Sequence, residues 1–141
     1  MAETYATAQD AEDAFYDALE ERSAQRMASV WDDTPDIACL LPMQPLLLGE
    51  EVGRLWAALF AAGDPIDLQV RHLRWVELGD VAIHYVQEWI TPPPGRRAPP
   101  PVYATNVFRR GPSGWNLVLH QNSPTPPPPG AMSGAMGGPP V

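Results

Sequence analysis

The chain has no lysine: all nine of its basic residues are arginine. That absence excludes Schiff-base chemistry and a phosphate-loop lysine. Seventeen acidic residues outweigh those nine and set a formal charge of −8, so the cationic surface that phosphate backbones require is missing and no nucleic-acid partner is expected. Cysteine is scarcer still. Cys39 stands alone, which excludes an internal disulfide and a cysteine-rich zinc site. It lies inside the apolar run DIACLLP and reads as a buried, inert thiol. No apolar run approaches the roughly 20 residues that span a bilayer, and the acidic opening MAETYATAQD is unlike a basic-then-apolar leader. The expectation is a cytoplasmic protein with no membrane partner.

Proline is abundant, at 18 residues, and it is clustered. TPPPGRRAPPP reads as a stiff exposed loop between strands. Residues 125–141 have no periodicity and read as a Pro/Gly-rich disordered tail, with a polyproline-binding partner as the sharper alternative. What remains, residues 1–124, suffices for one domain with a proper core.

Within that domain Thr7 can cap a first helix carrying Ala11, Phe15, Ala18 and Leu19 at helical spacing. Ser23 can cap a short second helix with Met27, Val30 and Trp31. DIACLL and PLLLG read as short strands. Gly49 to Ala62 carries Val52, Leu55, Trp56, Leu59 and Phe60 as an apolar stripe ended by Gly63. Four longer strands follow, IDLQVRHLRWVEL, DVAIHYVQEWI, VYATNVFRR and WNLVLHQNS, the last two joined through Gly111 to Gly114. The order predicts an α+β domain with helices on one face of an antiparallel sheet.

The stretches MASVWDDTPDIACLLP, LLLGEEVGRLW, GDVAIHYVQE and ATNVFRRGPSGWNLVLHQNSP, in that order, resemble the nuclear transport factor 2-like superfamily, and within it the uncharacterised SnoaL-like bacterial proteins related to ketosteroid isomerase. The resemblance spans residues 8 to 124. It implies a cone-shaped fold, three N-terminal helices packed on a curved antiparallel sheet that encloses a pocket. It also implies that Asn106 stands where the isomerases carry a hydrogen-bonding acid. The expected pocket lining is then Tyr16 (or Phe15), Trp31, Trp56 and Phe60 from the helices, Tyr85, Gln87 and Trp89 with Ile83 from one strand, and Asn106, Phe108, Leu119, Gln121 and Ser123 from the last two. Period-two alternation along the final strand groups Trp115, Leu117, Leu119, Gln121 and Ser123 on one side.

No catalytic residue is assigned. The strand IACLL lacks the isomerase base, Asp32, Asp33 and Asp36 read as a solvated acidic turn, Gln121 falls nearest the cyclase acid, and the inner set holds no carboxylate. Isomerase, cyclase and hydratase relatives exist, but the carboxylates they need are missing. His84 and His120 fall on the outer side, so no metal site and no cofactor are expected. Arg96-Arg97 and Arg109-Arg110 read as a solvated rim. Val76, Ala82, His84, Val86, Val107 and Val118 are assigned to an apolar outer face suited to a homodimer. The functional expectation is a pocket for a small apolar molecule bearing one or two oxygens. The alternative is an oligomerisation module resembling the association domain of calcium/calmodulin-dependent kinase II.

Overall fold

A computed structural model describes residues 4–63 and 66–124; the Pro/Gly-rich segment from residue 125 lies outside the described residues. Helix α1 (Ala8–Glu21) begins where Thr7 Oγ1 accepts a hydrogen bond from the Asp10 amide at 3.0 Å. It ends at Arg22, which takes the left-handed conformation (φ 56°), and the Ser23 amide then closes onto the Ala18 carbonyl at 3.0 Å. Arg22 Nη2 donates to the Phe60 carbonyl, tying the end of α1 to the third helix. Ser23 then caps α2 (Ala24–Val30), accepting from the Arg26 amide at 3.0 Å.

Strands β1 (Ala38–Leu40) and β2 (Leu47–Leu48) precede α3 (Glu50–Ala62). Glu51 in the first turn of α3 accepts from the Leu48 amide at 3.2 Å, a carboxylate placed where the helix leaves amides free. The long strands are β3 (Leu68–Leu78), β4 (Val81–Ile90), β5 (Val102–Gly111) and β6 (Gly114–Asn122). They join β1 and β2 in one six-stranded sheet of order β2-β1-β6-β5-β4-β3. The expected antiparallel sheet is mixed, because β1 runs parallel to β6 while the other neighbours are antiparallel. β1 reaches β6 from the helical layer rather than through a hairpin, so its direction is free to differ.

The core lies where α1, α2 and α3 meet this sheet. Phe15, Val30, Cys39, Phe108 and Leu117 are fully buried, and Phe15 packs edge-on against Trp31 and Trp56 at centroid distances of 6.3 and 5.7 Å. Burial lifts the Cys39 thiol to about 12.

Two bulges set which side chains face that core. In β3, Leu73 has no partner in β4. In β6 the pairing steps from Val107↔Leu119 to Phe108↔Leu117, leaving Val118 as the extra residue. Past a bulge the alternation changes phase. The helix-packed face of β6 therefore carries Leu117, then His120 and Asn122, and the expected inward set of Leu119, Gln121 and Ser123 lies on the other face. On β4 the expectation is inverted throughout. Ala82, His84, Val86 and Glu88 are buried, whereas Tyr85 is 40 % exposed and Ile83, Gln87 and Trp89 are half-buried. Alternation gives the period of a strand but not its phase, and the phase that the resemblance implied is reversed here. Ala82, His84 and Val86 accordingly leave the outer-face list, where Val76, Ile83, Val107 and Leu119 now form a cross-strand row.

The β5–β6 turn shows how closely the N-terminal segment abuts the sheet. The Trp115 amide donates to the Tyr5 carbonyl at 2.8 Å, and a Cβ on Gly114 (φ 122°) would meet that same oxygen at 2.5 Å. Gly114→Ala is expected to lower unfolding free energy by about 1–3 kcal/mol. Gly53→Ala in α3, where an added Cβ meets nothing within 4 Å, is expected to raise it by about 0.5–1 kcal/mol. Urea titrations of both variants check the pair, and Cys39 should react with a thiol reagent at pH 8 only after denaturation.

Candidate functional site

Helix α1 presents Ala8, Ala11, Glu12 and Phe15 on one buried face, the i, i+3, i+4, i+7 stripe of a packed helix. Three of the four are apolar. The fourth, Glu12, is 1 % exposed, and it rests on the row that crosses the sheet as His84, Asn106, His120 and Cys39. Asn106 Nδ2 donates to Glu12 Oε2 at 3.0 Å. His72 Nε2 hydrogen-bonds Glu12 Oε1. His84 Nδ1 stands 3.0 Å from Glu12 Oε2 but out of hydrogen-bonding alignment, so this nitrogen has no hydrogen-bond partner. Burial by itself would raise the Glu12 carboxyl; the polar contacts from His84, His72 and Asn106 outweigh it and hold the group below the usual carboxylate value.

One turn along α1, Tyr16 joins a second set. Its hydroxyl donates to Glu88 Oε2 at 2.7 Å and accepts from Asn106 Nδ2 at 3.0 Å. Asn106 Oδ1 faces His120 Nδ1 at 2.6 Å, His120 Nε2 faces Asn122 Oδ1 at 3.0 Å, and Asn122 Nδ2 donates to Glu88 Oε1 at 2.8 Å. Tyr16, Asn106, His120, Asn122 and Glu88 thus close a ring of hydrogen bonds, with Glu12 attached through Asn106. Both amide orientations follow from this ring, because each NH2 group is committed to an acidic or hydroxyl oxygen. His120 is left between two amide oxygens. A neutral imidazole donates to one of them and an imidazolium to both, so a proton arriving on His120 finds an acceptor in place. Desolvation lowers the His120 pKa, opposed by the charges of Glu88 and Glu12 and the Asn122 bond. Burial and the neighbouring Glu88 charge push the Tyr16 hydroxyl well above its ordinary value, so it stays a proton donor.

The ring forms one wall of a cavity of about 250 Å3. Glu88, His120 and Asn122 line it beside Leu19, Leu41, Trp56, Leu59, Leu68 and Ile90. Of the thirteen side chains expected to line the pocket, counting Tyr16 and Phe15 as one position, only Trp56 lines this cavity. Tyr16 and Asn106 sit behind His120 in the ring, and Phe108 is wholly buried in the core. Trp31 lines a separate groove of about 700 Å3 between α2 and α3, and Phe60 packs on Trp56 from outside at 5.9 Å. Tyr85, Gln87, Trp89, Gln121 and Ser123 belong to the opposite sheet face for the reasons of phase given above.

Three further expectations change. His84 and His120 face inward, 3 % and 2 % exposed. Two carboxylates, Glu12 and Glu88, are inside, although none was expected there. Asp32 is not a solvated turn residue: it is buried and paired with Arg109, Nη2 to Oδ1 at 2.7 Å and Nε to Oδ2 at 3.2 Å. Sequence did contain a signal for Glu12, a charge set on an otherwise apolar helical stripe. The inward turn of His120 depends on the Val118 bulge, which leaves no mark in composition.

This arrangement of three helices on a mixed six-stranded sheet is the nuclear transport factor 2-like, cystatin-like α+β fold. A protein from Thiobacillus denitrificans described as a calcium/calmodulin-dependent protein kinase type II association domain is similar at 36 % identity and TM-score 0.81, over 86 % of this chain and 98 % of that one. A Streptomyces avermitilis protein described as a dehydratase of the NTF2-like family is similar at 32 % identity and TM-score 0.73, over 83 % and 92 %. A ketosteroid isomerase-like protein from Erwinia carotovora atroseptica shares the fold at 16 % identity and TM-score 0.63, over 84 % and 94 %. No curated protein matches the sequence. The SnoaL-like domain model matches residues 9–127, and the chain belongs to that family. Among the described residues no helix is long and apolar enough to cross a membrane.

Asn106 holds Glu12, Tyr16 and His120 at once, so Asn106→Leu leaves buried partners unpaired. It is expected to cost at least about 2–3 kcal/mol, whereas Gln121→Met on the exposed face should stay within about 0.5 kcal/mol. Chemical denaturation of the two variants tests the contrast.

Proposed function

We propose that the chain binds a small, mainly apolar molecule bearing one or two oxygens in the cavity beside the ring, at the mouth of a cone formed by the helices and the sheet. The observation that carries this reading is the asymmetry of the cavity: aliphatic walls and Trp56 on most sides, and Glu88, His120 and Asn122 together on one. Convergent polar groups in an apolar hollow orient a ligand by its oxygen. A volume of about 250 Å3 falls just below the roughly 300–1,000 Å3 of drug-sized sites, which favours a compact ligand.

The same side chains can handle a proton. Glu88 and His120 are a carboxylate and an imidazole 3.9 Å apart, with Tyr16 and two amides fixing their hydrogen-bond geometry. A ligand oxygen displacing the Asn122 contact would meet this pair, which suits proton transfer at or next to a carbonyl. The chemistry extends the binding reading and uses carboxylates different from the one the isomerases carry on their first strand.

A second reading, assembly, is favoured by the outer sheet face. Ile83, Val107 and Leu119 lie side by side there with the half-exposed Tyr85 and Tyr103. A homodimer across this face fits both readings; a larger closed ring would favour a scaffold role like that implied by the name of the Thiobacillus relative.

Titration with small cyclic ketones and phenols, read by tryptophan fluorescence and thermal shift, tests the binding reading. Saturable binding is expected in the wild type. Asn122→Leu should weaken it by about 1–3 kcal/mol, and Leu41→Trp should fill the cavity and abolish it. If no probe moves the wild-type melt, and Leu41→Trp raises stability as simple cavity filling would, the binding reading fails. Light scattering on the same samples decides assembly: a dimer that Tyr85→Lys converts to monomer is expected.

A further inference from the structure

We propose that Glu12, His72 and His84 form a binding site for a divalent transition metal. Their donor atoms, one from each side chain, all lie within 4.8 Å of one another. They come from three elements, α1, β3 and β4, brought together by the fold and not by a local sequence motif. Two imidazoles and one carboxylate are a donor set suited to Zn2+ and to Fe2+, with coordination positions left open. Donors around tetrahedral zinc stand roughly 3.3 Å apart, given metal–ligand bonds of about 2.0–2.1 Å, and the His84 to Glu12 separation of 3.0 Å is already close to that.

The proton inventory also points to a cation. The carboxylate of Glu12 is buried, and one nitrogen beside it, His84 Nδ1, has no hydrogen-bond partner. A cation held between Glu12 and His84 would give that nitrogen a partner and balance the buried carboxylate. The surroundings resemble the supporting contacts of metal sites. Asn106 Nδ2 fixes Glu12 Oε2, and Trp75 stacks on the His84 ring at 5.0 Å with an interplanar angle of 16°.

Access is open on two sides. The His72 side chain is 33 % exposed, and His84 lines a polar cavity of about 600 Å3 with Thr7, Gln9, Trp75, Arg110 and Trp115. Gln9, one helical turn before Glu12, also lines this cavity. This cavity is separate from the one beside His120, so an ion could exchange without passing through the proposed ligand site.

Calorimetric titration of Zn2+ into tag-free, chelator-treated full-length protein tests the site, and Co2+ absorption reports its ligands. About one equivalent per chain is expected, with a Co2+ spectrum of nitrogen–oxygen ligation below six-coordination and a Zn2+-dependent rise in melting temperature. His72→Ala, the change at the most exposed ligand, should weaken binding by about tenfold or more and remove the thermal shift. Wild-type protein that takes up no ion, a Co2+ spectrum of the hexaaqua type, or His72→Ala binding Zn2+ as tightly as wild type would each overturn the proposal. Should His72→Ala fail to fold, His72→Gln carries the same comparison. Loss of this site leaves the cavity beside His120 in place, so saturable ketone or phenol binding is still expected and the two readings fail separately.

Discussion

The burial of one carboxylate organises the interior of this fold. An isolated ionised carboxylate transferred from water into a protein core carries a penalty of several kcal/mol even after relaxation, and Glu12 is 1 % exposed. The sheet answers with polar side chains from three adjacent strands: His72 on β3, and the directly paired His84 on β4 and Asn106 on β5. Once Asn106 gives its NH2 to Glu12 and Tyr16, its oxygen must face inward along the row, and His120 meets it there. Asn122 and Glu88 complete the ring. The amide orientations, and the donors available to His120, thus follow from a charge on α1 that touches none of the cavity surface.

That dependence explains why the inner face carries the polar row His84, Asn106 and His120 beside an outer row that is apolar. Inside, histidine, asparagine and glutamate alternate with Ala82, Val86, Ala104 and Phe108, and all of these polar groups except His84 Nδ1 are hydrogen-bonded to a side chain of another element. Outside, the central row is Val76, Ile83, Val107 and Leu119, with aromatic side chains next to it. A solvated antiparallel sheet ordinarily shows the reverse pattern, apolar in and polar out. An apolar outer row is stable when a second surface covers it, and a buried polar inner row is stable when its hydrogen bonds close, as they do here.

This inversion is also where sequence reading and structure part. Local signals were strong for the helices: the caps at Thr7 and Ser23, the stripe of Val52 and Trp56, and Gly63 after α3 all correspond to observed contacts. The strand positions and turns were legible, and ordered segments carried the family resemblance. The face of β4 was not legible, since VAIHYVQEWI offers two alternating sets and only long-range bonding distinguishes them. Ile83, Tyr85 and Trp89 look like core until His84 and Glu88 are seen to have partners on α1 and β6. In β6 a single extra residue at Val118 moved Gln121 out and His120 in. Both errors have one cause: inward polar residues are recognised by their partners, and those lie 14 to 94 positions away in sequence.

Asn106 has a further consequence because it touches both halves of the interior. Its NH2 group meets Glu12, the carboxylate shared with His72 and His84, while its oxygen meets His120 at the cavity wall. A positive charge among Glu12, His72 and His84 would draw electron density from the Glu12 oxygen that Asn106 bonds. That bond would weaken, and the Asn106 amide would lean further toward Tyr16. The Tyr16 to Glu88 hydrogen bond would strengthen in turn, since hydrogen bonds in a chain polarise one another. Occupancy of one site would therefore alter the acidity of the groups facing the other without any backbone movement. The side chains of the ring are hydrogen-bonded to one another and closely packed, so they have few alternative arrangements through which to relax. A charge change at Glu12 is then transmitted as a change in bond strength around the ring, and the cavity wall at Glu88 and His120 is where it is felt.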